Sequence, residues 1–286
     1  MMSMLIKIVE GYCSRLTAAQ AQRLGRRIGW FLDHGVRFRR DEVQNNIRRC
    51  FPEKNEAECS DILERMYANF GQLIVESVRM GTIDLSYFKE QVDVVNMRYT
   101  LDAINQGKGV VFLTAHIGNF ELLAMMAGVY NVKMSIIVKP IRPPALNEYF
   151  CRTRARFGVN MLPPKHSFRD CIAALKRNET VGFILDQNMK RNRGVFVDFF
   201  GRPACTSPGL AMMSAQCGSP VVPCFMLRMP DGRHRAVVHP PLPPPADMKP
   251  DTIHAATQTY TRIIEEAVRA NPDQWIWVHR RWRTQP

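Results

Sequence analysis

Gly109-Val-Val-Phe-Leu-Thr-Ala115 runs directly into His116-Ile-Gly-Asn-Phe-Glu121, and this junction decides how the rest of the chain is read. A short apolar, β-rich run that starts at a glycine reads as a buried strand, and Gly118 then breaks it ahead of a helix-forming sequence. A strand-to-helix turn of this kind displays a polar side chain at the edge of a sheet, where catalytic groups gather. His116 is that side chain. The remaining sequence is read as scaffold and substrate clamp around it.

Working outward, strands and helices alternate. Residues 100–106 form a short helix stopped by Gly107 and Gly109, residues 132–138 a strand, and residues 144–157 a helix. A second helix opens with a Ser167/Asp170 capping box, and residues 181–185 are a strand. Asp186-Gln187 closes that strand and a polar, basic loop, 188–194, follows it. Thr206 or Ser207 caps a helix to Gln216. Strands 220–227 and 234–238 pair as a hairpin across Pro230-Asp-Gly-Arg233, and a final helix spans 252–269. Such alternation predicts an α/β fold in a single domain: a central mixed, largely parallel sheet flanked by helices, plus an N-terminal helical basic region. The helical region takes residues 1–80 and the catalytic core 90–286. Active sites in such sheets lie at strand C-terminal ends.

Within residues 1–50, Leu24, Ile28, Phe31 and Leu32 recur at helical spacing beside Arg23, Arg26, Arg27, Arg37, Arg39 and Arg40. That stripe suits either an anionic bilayer, with arginines at head-group level, or packing on the domain itself. Asn55 and Glu58 form a capping box for a helix carrying Ile62, Met66, Phe70, Leu73, Ile74 and Val78 to near Gly81. The apolar run at residues 1–9 is too short for a signal peptide, and no stretch approaches the ~18 apolar residues of a spanning helix. Membrane contact is therefore expected to be peripheral.

A chain of 286 residues with 46% hydrophobic residues has material for one large core. Its net charge of +13 calls for an anionic partner, but charge alone does not separate nucleic acid, phospholipid surface and acidic metabolite. The eight cysteines are scattered, with no CxxC and no Cys/His cluster, which argues against a metal centre and for reduced, buried thiols. A serine or cysteine hydrolase is disfavoured, because no GxSxG elbow exists and Cys217 lacks a recognisable base. Trp275, Trp277 and Trp282 beside Arg280, Arg281 and Arg283 suit a lipid interface, nucleic-acid stacking or plain packing. A non-catalytic basic membrane or nucleic-acid binder is thus the rival class.

His116 suits a general base for a hydroxyl, and it needs an acid at its far ring nitrogen. Two acids compete. On one continuous helix Glu121 would lie ~140° around from His116, so they meet only if His116 belongs to the turn and the helix starts at Gly118 or Asn119. Asp186 arrives from the end of another strand, as a triad aspartate does.

The HIGNFE motif after a strand is joined by Arg154 and Arg156 before Gly158, Leu185-Asp-Gln187, Val197-Asp-Phe-Phe-Gly201, Pro203-Ala-Cys-Thr206, Gly218-Ser-Pro-Val-Val-Pro223 and Gln274-Trp-Ile-Trp-Val-His-Arg-Arg-Trp282. Together, over residues 45–282, these resemble the bacterial lipid A biosynthesis acyltransferases, the late lauroyl/myristoyl transferases of the glycerolipid and lysophospholipid acyltransferase superfamily. The resemblance implies transfer of a fatty acyl group from an acyl carrier protein thioester, or coenzyme A, to a hydroxyl of a lipid A precursor at the cytoplasmic face of the inner membrane. It implies no metal and no cofactor beyond acyl-ACP or acyl-CoA as co-substrate, and it makes a nucleic-acid partner unnecessary. Other glycolipids or lysophospholipids would need the same chemistry.

In this sequence the family's HxxxxD/E motif falls on His116 and Glu121, its second acid on Asp186, and its substrate-contacting arginine on Arg154 or Arg156. His116 would take the acceptor proton without a covalent acyl-enzyme. Backbone N–H groups where the helix starts, around Gly118 and Asn119, or a nearby arginine would receive the oxyanion. Lys139, Lys190, Arg191 and Arg193 would help hold phosphates of the acceptor or of the phosphopantetheine arm. Met125, Met126, Met212 and Met213 are candidates for an apolar acyl tunnel. One departure stands out: members often carry an N-terminal transmembrane anchor, and the apolar segment here is short.

Overall fold

The computed structural model describes residues 2–286; Met1, where the apolar N-terminal run begins, lies outside the described residues. Four helices come first, α1 (Met2–Ser14), α2 (Ala18–Trp30), α3 (Arg40–Cys50) and α4 (Glu56–Arg79), with a π-helical turn, Phe31–Gly35, after α2. The Asn55/Glu58 capping box forms as expected, each side chain bonding the other's backbone N–H. The expected apolar stripe does not make the main contact between α2 and α4. Ala21, Gly25 and Gly29 are buried there, while Phe31 is exposed. A Cβ on Gly29 would stand 2.1 Å from the Tyr67 carbonyl oxygen, and one on Gly71 2.1 Å from that of Gly25, so the two helix backbones touch. Arg23, Arg26 and Arg27 face outward.

The rest alternates as expected. α5 (Leu85–Gln91) leads into β1 (Val92–Val95), α6 (Arg98–Asn105), β2 (Val110–Thr114), α7 (Phe120–Val129), β3 (Met134–Ile137), α8 (Pro144–Arg156), β4 (Val159–Leu162), α9 (Ser167–Lys176) and β5 (Thr180–Ile184). Then come β6 (Val195–Asp198), β7 (Pro203–Thr206), α10 (Gly209–Cys217), β8 (Val221–Arg228), β9 (His234–Val238) and α11 (Pro250–Ala270). Seven strands form one sheet in the order β1-β9-β8-β2-β5-β3-β4. Only the β8–β9 hairpin is antiparallel, so the sheet is mixed and largely parallel. β6 and β7 make a separate antiparallel ladder.

Four strands of four residues each, β1, β4, β6 and β7, were not legible. Two caps differ as well. α9 starts from His166 in the left-handed region, and the Ser167 hydroxyl, already in the first turn, donates back to the Pro164 carbonyl. Pro208 precedes α10, with the Ser207 hydroxyl accepting from Gly209 N–H. Trp275, Trp277 and Trp282 are buried in the main core with residues of α3, α4 and the sheet, so the tail offers no aromatic faces for bases or lipid. Their proximity to arginine reflects packing: Arg202 covers the Trp282 ring and Arg281 the Phe199 ring.

Candidate active site

β2 and β5 are parallel neighbours, and their register pairs Thr114 with Ile184. Two residues beyond that pair, at the same C-terminal edge, stand His116 and Asp186. Strands ~4.8 Å apart bring such positions within side-chain reach. The His116 Nδ1–H donates to Asp186 Oδ1 at 2.8 Å, and the His116 backbone N–H donates to Asp186 Oδ2, also at 2.8 Å. The Trp275 indole donates to the same Oδ2 at 2.7 Å. With its proton on Nδ1, the ring presents a lone pair at Nε2, and there the Gln187 amide donates at 3.2 Å.

This geometry governs both ionisations. Burial weighs against a charged His116 ring, but the charge and hydrogen bond of Asp186, with Glu121 adding less, outweigh it and hold its pKa above the usual value. Burial also works against ionised Asp186. The His116 charge and the hydrogen bonds from His116 and Trp275 override it and keep the carboxyl far below the usual range.

The turn is held rigidly. Gly118, at φ 55°, is required: a Cβ there would lie 1.8 Å from the Met226 carbonyl oxygen. Gly118 N–H donates to Gln274 O and Asn119 N–H to Met226 O, so these two amides, expected to face an oxyanion, are already committed. Asn119 is likewise no substrate contact. It is fully buried, caps α7 by accepting from Leu122 N–H, and donates to Glu76 at 2.7 Å. Glu76 pairs in turn with Arg228, and despite burial the charges of Arg228 and His234 draw its pKa down to about 2. Glu76 and Arg228 were not singled out from sequence; Gln187, Trp275 and Arg281, which reaches Thr206 Oγ1 and the Cys205 carbonyl, were named there but not as partners of this site. Each lies far along the chain from what it touches.

Glu121 does not orient the histidine. His116 does sit in the turn, outside α7, so the geometric condition is met. Yet the carboxylate is taken by Arg154 in a bidentate pair, Nε to Oε2 at 3.0 Å and Nη2 to Oε1 at 2.6 Å. The last turn of α8 presents that guanidinium directly over the first turn of α7. Arg154 Nη1 is buried with no partner among the described residues. Arg156 points elsewhere, donating to the carbonyls of Gly81 and Ile83. Lys190, Arg191 and Arg193 are exposed on the loop before β6.

Beside His116 opens a cavity of about 540 Å³ lined mainly by apolar groups. Alternate residues of the sheet supply its floor, among them Phe112, Thr114, Ile136, Gly182, Ile184 and Ala236, while α7 covers it. His116, Glu121, Arg154, Lys139 and Gln187 are among its polar groups. Of the four methionines put forward, Met126 lines it. Met125 is packed in a neighbouring cluster, and Met212 and Met213 belong to the core on α10. Met97 and Met134 line it instead.

A sheet that brings a histidine–aspartate pair to adjacent strand ends, beside an apolar chamber with cationic groups, places the protein among acyl-transfer enzymes. The chain belongs to the bacterial lipid A biosynthesis acyltransferase family, whose model matches residues 12–284. A lipid A biosynthesis acyltransferase of Haemophilus influenzae is 28% identical over 269 residues, covering 93% of this chain and 85% of that protein. The lipid A biosynthesis lauroyltransferase of Escherichia coli is 25% identical over 265 residues, covering 92% and 85%. A phosphatidylinositol mannoside acyltransferase of Mycolicibacterium smegmatis is 22% identical over 250 residues, covering 85% and 79%.

Proposed function

We propose that the protein transfers a fatty acyl group from an acyl carrier protein or coenzyme A thioester to a hydroxyl of a lipid A precursor, with His116 as general base. The single observation that carries this is the His116–Asp186 pair opening on the apolar cavity. Its volume falls within the about 300–1,000 Å³ of small-molecule sites, and it suits an acyl chain. The acceptor hydroxyl displaces the Gln187 amide from Nε2, loses its proton there as its oxygen attacks the thioester carbonyl, and the thiolate departs with that proton's return. Asp186 fixes the tautomer and stabilises the imidazolium. Arg154, which lines the cavity and whose buried Nη1 has no partner among the described residues, is the donor we assign to the developing oxyanion, and Lys139 serves the phosphates of the donor arm.

Among the described residues no helix is long and apolar enough to cross a membrane. Peripheral attachment to the cytoplasmic face of the inner membrane is proposed through α1, α2 and the turn after α2, where Met4, Ile8, Tyr12, Trp30 and Phe31 are exposed on the segment that carries Arg23, Arg26 and Arg27. A second reading, acylation of a different glycolipid, is favoured by the named activity of the mycobacterial relative and uses the same residues. Lipid mass spectrometry of cells with the wild-type protein or with His116→Ala tests both. The acylated product should be lost with the folded variant, and its mass identifies the acceptor. Undiminished product from His116→Ala would end the proposal.

A further inference from the structure

A second, smaller chamber of about 170 Å³ also meets His116; Ile276 and Val278 line it together with the polar side chains of Arg39, Asp186, Gln187 and His279. His116 and Gln187 line both chambers, so their 3.2 Å contact is the partition between them. Direct transfer requires a thioester and a hydroxyl to reach one ring nitrogen. The larger apolar chamber suits the acyl chain, which leaves the smaller one, with its charged and polar side chains, as the approach for the hydroxyl.

Its chemistry is specific. Arg39 donates Nη1 to the Val278 carbonyl at 2.8 Å, and the nearby acids Asp33, Asp41 and Glu42 pair with Arg40, Arg37 and Arg280 instead. The acid in this chamber, Asp186, is already engaged by His116 and Trp275. His279 is neutral at pH 7, since burial pushes its pKa down to about 4. Its Nε2 accepts from Asn188 N–H at 2.9 Å, so its proton sits on Nδ1, which has no protein partner among the described residues. A solvent-exposed cation tethered to the Val278 carbonyl and a spare neutral N–H donor beside the base suit an anionic oxygen group close to the reacting hydroxyl.

We infer that this chamber is the acceptor site and that Arg39 and His279 bind a phosphate of the acceptor. The inference rests on His116 acting as the base in acyl transfer. The same phosphate chemistry exists in the phosphopantetheine arm of the donor, but Lys139 already supplies a cation on the acyl side.

The test is steady-state kinetics of the full chain with an acyl carrier protein thioester and two acceptors: a phosphorylated glycolipid, and the same glycolipid after enzymatic removal of phosphate. Charge-assisted hydrogen bonds of about 1.5–3 kcal/mol predict that Arg39→Gln raises KM for the phosphorylated acceptor about 10–100-fold. KM for the dephosphorylated acceptor and for the donor should hold, and Arg39→Lys should recover part of the loss. Equal rises for both acceptors, or no rise, overturn the assignment, and a rise in donor KM alone moves the phosphate to the donor. Should Arg39→Gln lose its cooperative thermal unfolding, His279→Gln carries the same comparison. Wild-type protein that acylates neither glycolipid would instead sink the proposed function, and the chamber assignment with it.

Discussion

At the scale of single residues, the two acids near His116 have separable jobs, and their variants should fail differently. Asp186→Asn keeps the shape but favours the wrong imidazole tautomer, so kcat should fall about 10⁴-fold, the loss seen when a triad aspartate is made an amide, while unfolding changes little. Glu121→Gln instead leaves Arg154 buried without its counter-charge, which costs about 3–5 kcal/mol and should appear first as a lower denaturation midpoint. Near-wild-type turnover by Asp186→Asn would return the orienting role to Glu121. The pH profile follows from the same pair. His116 acts only when neutral and Asp186 raises its pKa, so activity should climb with pH through a midpoint above 6.5. A pH-independent rate would exclude His116 as the base. Sequence brought both acids into view but not the choice between them. That choice depends on β2 lying beside β5, a fact of sheet order that no local pattern around residue 116 encodes.

Among elements, the contrast between α2 and α11 shows what periodicity conveys. The apolar stripe of α11 packs inward as its spacing indicates, with Ile253, Tyr260, Ile264 and Val268 buried. Across α2 and the π-helical turn after it, spacing selects Leu24, Ile28, Phe31 and Leu32, whereas the close approach to α4 uses glycines, which carry no hydrophobic signal. Trp30, Phe31 and the arginines are thereby left facing outward. Replacing Arg26 and Arg27 by glutamine should weaken binding to anionic vesicles about fivefold per charge, from about 1 kcal/mol per basic residue at such surfaces, and the loss should vanish at high salt. Flotation with vesicles of graded anionic lipid content measures this. Identical partitioning of the double variant would make α2 a purely structural helix.

For the whole molecule, the α/β class was legible because strand and helix periods alternate along most of the chain, and the HIGNFE turn marked the correct sheet edge. The cavity was not legible. Its floor is every second residue of several strands, and such positions look like ordinary core until the covering helix is seen to stand away from them. The methionines show the point: spacing on α7 and α10 could not tell Met126, which lines the space, from Met213, which fills the core. If this space measures the acyl chain, shrinking it should shorten the product. Ala124 is half-buried on α7 and faces the cavity, so Ala124→Phe adds volume where there is room and spares the packed core. Competition between thioesters of different chain length should then shift kcat/KM toward shorter chains by about tenfold for each 1.4 kcal/mol of lost acyl contact. Reduced activity on every chain length alike, with the preference unchanged, would place the acyl group outside this cavity.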